Sequence, residues 1–250
     1  MSIIFRETEI NKLISNIQKY YKDEFNEKIV DDVRVFCTDN IREDATLLGA
    51  AEGEIGNGTC IMPNNVCDKI TVLVTEPNFK IDNCPAIGTI FHELTHACDY
   101  TKFCHDYCDN NWDKLWKHEL FPIFFCWSEF HATLIQIIYY RKYMAVVDST
   151  YKYSKDTIAK ELIYYKYTKY CTELEEAYKE EPKLSYLFSY FGRYCACELY
   201  APEYFKDGCK FSPYVFKYRS DAEEIYHLLF EGQTYERAKE NFEKLYDILN

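Results

Sequence analysis

Residues 92–96 read His-Glu-Leu-Thr-His. On a helix, positions i and i+4 stand one above the other on the same face. His92 and His96 can therefore offer two ring nitrogens to one zinc ion. Glu93 is rotated about 100° from His92, which sets its carboxylate beside the ion's open position. There it can take a proton from a water that the metal activates. With 6 histidines in 250 residues, chance supplies only about 0.014 such motifs. The flanking Thr89, Ile90, Leu94, Thr95, Ala97 and Cys98 are uncharged, as a buried active-site helix requires.

The elements around the motif follow from spacing. Ile10, Leu13, Ile14, Ile17, Tyr20 and Tyr21 give residues 4–25 a helical period. Residues 29–37 read as a strand, and 43–58 as a turn-rich connection. Thr59 to Met62 and the β-branched run Ile70 to Thr75 read as further strands, with Pro77 ending the second. After a loop from Asn78 to Pro85, a helix is expected over about 86–102. A second begins near Pro122, a good first-turn residue, and runs to about 147. More are expected over 155–180, 184–200, 220–231 and 234–248. The expected fold is α+β: a small mixed or antiparallel N-terminal sheet packed on the active-site helix, then a mainly helical C-terminal half. Residues 1–250 form one catalytic unit in this reading, with approximate lobes 1–105 and 106–250 and joints only at 105–113 or 206–214. A helix under the edge of a sheet, with a cleft between, is a way to hold an extended peptide by strand addition.

Composition narrows the function classes. Lys plus Arg is 29 and Asp plus Glu is 41, for a formal charge of −12. An acidic chain with no basic block argues against a nucleic-acid binder and against docking on an anionic membrane. Arg6, Glu7 and Glu9 interrupt any apolar run near the N-terminus, so no signal peptide is expected. The longest apolar stretch, Leu120 to Val147, is broken by Glu129, His131, Gln136, Arg141 and Lys142. The expected location is the cytoplasm. There the 12 cysteines are reduced thiols acting as small hydrophobes. The closest spacings are Cys104-x3-Cys108, a candidate second metal site, and Cys195-x-Cys197.

Thr89 to Cys98 resembles the active-site helix of the zincin metallopeptidases. That resemblance implies a zinc-dependent peptidase acting on a peptide or protein, with Glu93 as general base. A metzincin would place a third His where this chain has Lys102, and Gly where it has Asp99, so that branch does not fit. Asp99 is too far along the helix to share the ion, about 10 Å from His92, and reads as a residue steadying His96. The gluzincin pattern puts a Glu ligand on a second helix, with a small residue three positions on. Glu129, followed by Ala132, fits it. Gluzincins often carry Asp at the next position, where this chain has Thr133. Glu119, His105, His118 and His131 remain other candidates for the third ligand, and Cys84 a deformylase-like one. The oxyanion needs a further donor; His227, Tyr190, Tyr194, Arg193 and Tyr200 are candidates. Short HExxH chains with a downstream Glu-x-x-Ala also resemble the ImmA/IrrE-like peptidases. Two other function classes stand beside the peptidase: a non-catalytic interaction protein on a zincin scaffold, and a zinc hydrolase of a non-peptide substrate.

Overall fold

Two compact units, 1–117 and 118–250, divide the chain. A computed structural model describes residues 14, 15, 17–19, 21, 22, 33–50, 56–75, 84–147, 172–200 and 219–250. Within these, three strands and nine α-helices make the fold α+β.

In the first unit, strand β1 (Arg34–Thr38) leads to helix α1 (Ile41–Leu47), then to β2 (Gly58–Ile61) and β3 (Thr71–Thr75). The sheet order is β1-β3-β2, with β1 parallel and β2 antiparallel to β3. The strand expected over 29–37 occupies 34–38 instead; residues 29–32 lie outside the described set. The central strand β3 is buried from Thr71 to Val74. A strand enclosed on both faces needs such a continuous apolar run, and Val-Leu-Val supplies it.

Strand alternation sorts the two faces. Phe36, Ile61 and Leu73 point to one side, where they pack with Ile41 and Ala45 of α1. Gly58, Cys60, Val72 and Val74 share the other side, against helix α2 (Cys84–Cys108), which packs on β2 and β3. The unit is therefore a helix–sheet–helix sandwich with the HELTH motif on one outer layer.

Helix α1 corrects the turn-rich reading of 43–58. Asn40 caps it, its side chain accepting from the Glu43 amide, and Ile41 and Ala45 supply the buried stripe. The glycines and acids around these residues hid that short amphipathic period. Helix α2 also runs six residues beyond its expected end at 102. It stops where Asp109 and Asn110 take the left-handed conformation, φ 54° and 60°, and the Asn110 amide reaches back to the Cys104 carbonyl at 3.0 Å. Asn111 then caps α3 (Trp112–Leu115). Near the N-terminus, the described residues 14, 15, 17–19, 21 and 22 are helical. Tyr21 stacks on Phe91, and its hydroxyl hydrogen-bonds that of Thr95.

The second unit is helical: α4 (Phe121–Val147), α5 (Thr172–Glu180), α6 (Leu184–Tyr200), α7 (Ala222–Glu231), α8 (Tyr235–Ala238) and α9 (Phe242–Leu249). The helix expected over 155–180 is described only for 172–180, and the turn-rich joint expected at 206–214 lies outside the described residues. The helix expected over 234–248 is interrupted by a 3-10 turn, Lys239–Asn241. There the buried Asn241 side chain donates to the Leu228 carbonyl at 3.2 Å. Phe121–Ile138 is long and apolar enough to cross a membrane, yet 72% of it is buried inside the protein. Much of that surface meets α6. Gly192 makes the approach possible, since a Cβ there would sit 2.5 Å from the Phe130 carbonyl oxygen. Trp127 anchors the other flank, its indole donating to the Gly232 carbonyl at 2.9 Å and its ring meeting Tyr235 and Phe242.

Candidate metal centre

The helical register of α2 puts the His92 and His96 rings together. Their Nε2 atoms are 3.0 Å apart, with ring planes nearly perpendicular. Two ligands that each lie about 2.0–2.1 Å from one zinc ion stand roughly 3.0–3.5 Å apart, so the pair has the separation that shared coordination needs. His96 is buried, and its ring meets Tyr100 edge-on. Glu93 is only 7% exposed. Its side chain lies against β2 at Gly58.

Glu129 sits on α4 among Phe124, Trp127, Phe130 and Ile135, all buried. Burial lifts its carboxyl from the ordinary 4.5 to about 7; the Ser189 hydroxyl, donating to Oε2 at 3.4 Å, opposes that rise. Ser189 and Gly192 are three residues apart on α6, on the face turned to α4. The same packing that brings Gly192 onto Phe130 and Thr133 brings Ser189 to Glu129.

One ligand atom from each of His92, His96 and Glu129 lies within 4.8 Å of the others, and this group could hold a metal ion. Two imidazole nitrogens and a carboxylate oxygen form one of the donor sets that zinc takes at sites with an open position. The same set also suits other first-row metals. A cation held by this group would favour the ionised form of Glu129, which burial disfavours.

The other candidates lie in varied settings. Asp99 is buried, 1% exposed, on α2. Glu119 is exposed, and His105 is exposed beside Asp106 at 2.9 Å. His118 accepts from the Leu120 amide at 3.2 Å. His131 is buried and stacks on Trp127 with centroids 4.8 Å apart, as a packed core histidine does. His227 lies exposed on α7, lining an open surface cleft with Asp221, Glu223, Glu224 and Glu231. Tyr190 and Tyr194 are buried in α6, and Arg193 is half-buried. The side chains of Cys84 and Tyr200 lie outside the described residues. Cys104 and Cys108 are both buried on α2; burial pushes the Cys104 thiol up to about 11 and also raises Cys108. Neither belongs to a group of three metal donors among the described residues, and both fit the reading of thiols as small hydrophobes.

Sequence reasoning missed Gly58 and Ser189. Neither belongs to a motif, and only the packing of β2 on α2 and of α6 on α4 reveals them. No protein-family model, curated protein or solved structure matches this chain.

Proposed function

We propose that this protein is a zinc-dependent peptidase of the zincin type, hydrolysing peptide bonds in a peptide or protein. The observation that carries the reading is the His92, His96 and Glu129 donor group with a buried carboxylate, Glu93, on the residue after the first ligand. His92, His96 and Glu129 would hold the ion. Bound there, zinc would supply a polarised carbonyl and a water acidic enough to ionise near neutral pH.

The protein's own groups do the rest. Glu93 takes the proton of the attacking water and passes it to the nitrogen of the departing amine. Its burial between α2 and the sheet keeps bulk water from competing for that proton. Strand β2 is an edge among the described residues, paired on one side with β3. Its other side offers backbone donors and acceptors to an extended peptide, next to the helix that carries Glu93.

The test is hydrolysis of a mixed peptide library, read by mass spectrometry, with and without a chelator. Cleavage that the chelator stops, zinc restores and Glu93→Gln abolishes supports the proposal. Cleavage that survives Glu93→Gln refutes it. Hydrolysis of small esters or amides without any peptide product would replace it with a non-peptide hydrolase. An intact function in Glu93→Gln with metal bound would favour a structural metal in an interaction protein.

A further inference from the structure

Gly58 opens β2 opposite Val74, on the sheet face that carries α2. Its backbone is not left-handed, so no turn demands a glycine here. What demands it is space. A Cβ at this position would lie 2.4 Å from Thr89 Cγ2, 2.9 Å from Glu93 Cγ and 2.9 Å from Glu93 Oε1. Thr89 and Glu93 are one helical turn apart, so both stand on the side of α2 that meets the strand. The Glu93 side chain therefore rests directly on the strand backbone, in the room that a missing side chain leaves. Cys60, two residues on, shares that face of the strand, so the edge strand forms a floor under the carboxylate.

We propose that Gly58 is a positioning residue for Glu93: its lack of a side chain fixes where the carboxylate sits relative to His92 and His96. The inference rests on the proposed hydrolase reading, in which Glu93 moves the proton. A displacement of about 1 Å in such a group can cost on the order of 100-fold in rate. A Cβ at position 58 meets Glu93 Cγ and Oε1 at 2.9 Å, closer than such atoms can approach, so the Glu93 side chain has to shift to make room.

The experiment compares wild type, Thr89→Ser, Gly58→Ala with Thr89→Ser, and Glu93→Gln, each loaded with Co2+. Thr89→Ser removes the methyl that a new Cβ would strike at 2.4 Å, so the double variant isolates the contact with Glu93. Metal content, circular dichroism and the visible absorption of bound Co2+ across pH are read first, then kcat and KM on a cleaved peptide. The double variant should bind one Co2+ per chain and keep its helicity. The pH midpoint of its absorption should move from the Thr89→Ser value toward that of Glu93→Gln. Its kcat should fall about 10- to 100-fold, with KM changed less than about 2-fold.

A double variant that matches Thr89→Ser in both absorption and kcat overturns the inference and leaves the hydrolase reading standing. A wild type that binds no Co2+, or whose absorption is indifferent to Glu93→Gln, refutes the reading of the site and the inference together.

Discussion

Glu129 gives the site a measurable signature without any substrate. Its carboxyl is raised from 4.5 to about 7 by burial in the aromatic packing of α4. A carboxyl whose folded value lies above its unfolded value holds its proton more tightly in the fold. The metal-free folded chain therefore binds more protons than the unfolded chain between about pH 4.5 and 7. Stability from this group is complete below about pH 4.5 and is lost as pH rises through 7. The full shift corresponds to about 3 kcal/mol at about 1.4 kcal/mol per unit; partial exposure of Glu129 reduces that to about 2 kcal/mol. Glu129→Gln keeps the shape and removes the ionisation. Urea unfolding followed by circular dichroism, in chelator, at half-unit steps from pH 4.5 to 8.5, measures the difference. The metal-free variant should overtake metal-free wild type by about 2 kcal/mol across that range. Zinc should reverse the order at pH 8, since the cation stabilises the ionised carboxylate of wild type alone. Parallel pH curves for the two metal-free proteins would refute the argument, because Glu129 would then be ionised in the fold at no cost.

Other outcomes follow from the packing and the chemistry. Glu93→Gln should keep its zinc and lose about 100- to 10,000-fold in hydrolysis, read by metal analysis and peptide cleavage on the same preparation. Gly192→Ala puts a Cβ 2.5 Å from the Phe130 carbonyl and should destabilise the chain by about 1–3 kcal/mol, seen as a lower urea midpoint. Leu73→Ala empties the centre of the α1 face of the sheet and should cost about 2–5 kcal/mol in the same assay. Tyr21→Phe breaks the hydroxyl pair with Thr95, whose hydroxyl keeps its bond to the Phe91 carbonyl, and should cost about 0.5–1.5 kcal/mol, with metal content unchanged.

Much of this arrangement was legible in the sequence. The i, i+4 spacing of His92 and His96 is a local property, set by the helix alone, and it sufficed to bring the two Nε2 atoms to 3.0 Å. The β-branched run ending at Thr75 is so unlike its surroundings that β3 could hardly be anything else. Glu129 stood out because an acid in a long apolar helix needs a partner. What stayed hidden was non-local or short. Helix α1 has only two turns, and its apolar positions sit among glycines and acids that mimic a loop. The overrun of α2 to Cys108 depends on an Asp-Asn pair in left-handed conformation, a backbone state that those two residue types permit without announcing. Gly58 and Gly192 read as strand and helix weakeners in isolation. Only when Glu93 and the Phe130 carbonyl are seen against them does the missing side chain become the reason for the residue.

The central claim is that His92, His96 and Glu129 hold one metal ion. Inductively coupled plasma mass spectrometry on wild type, His92→Ala and Glu129→Gln, purified without added metal and again after zinc is supplied and the excess removed, tests it most directly. The account predicts about one zinc per wild-type chain and a large loss in both variants, with circular dichroism showing all three folded. Zinc lost in His92→Ala but retained in full by Glu129→Gln would remove Glu129 from the site. No metal in wild type, even after zinc is supplied, would contradict the account as a whole.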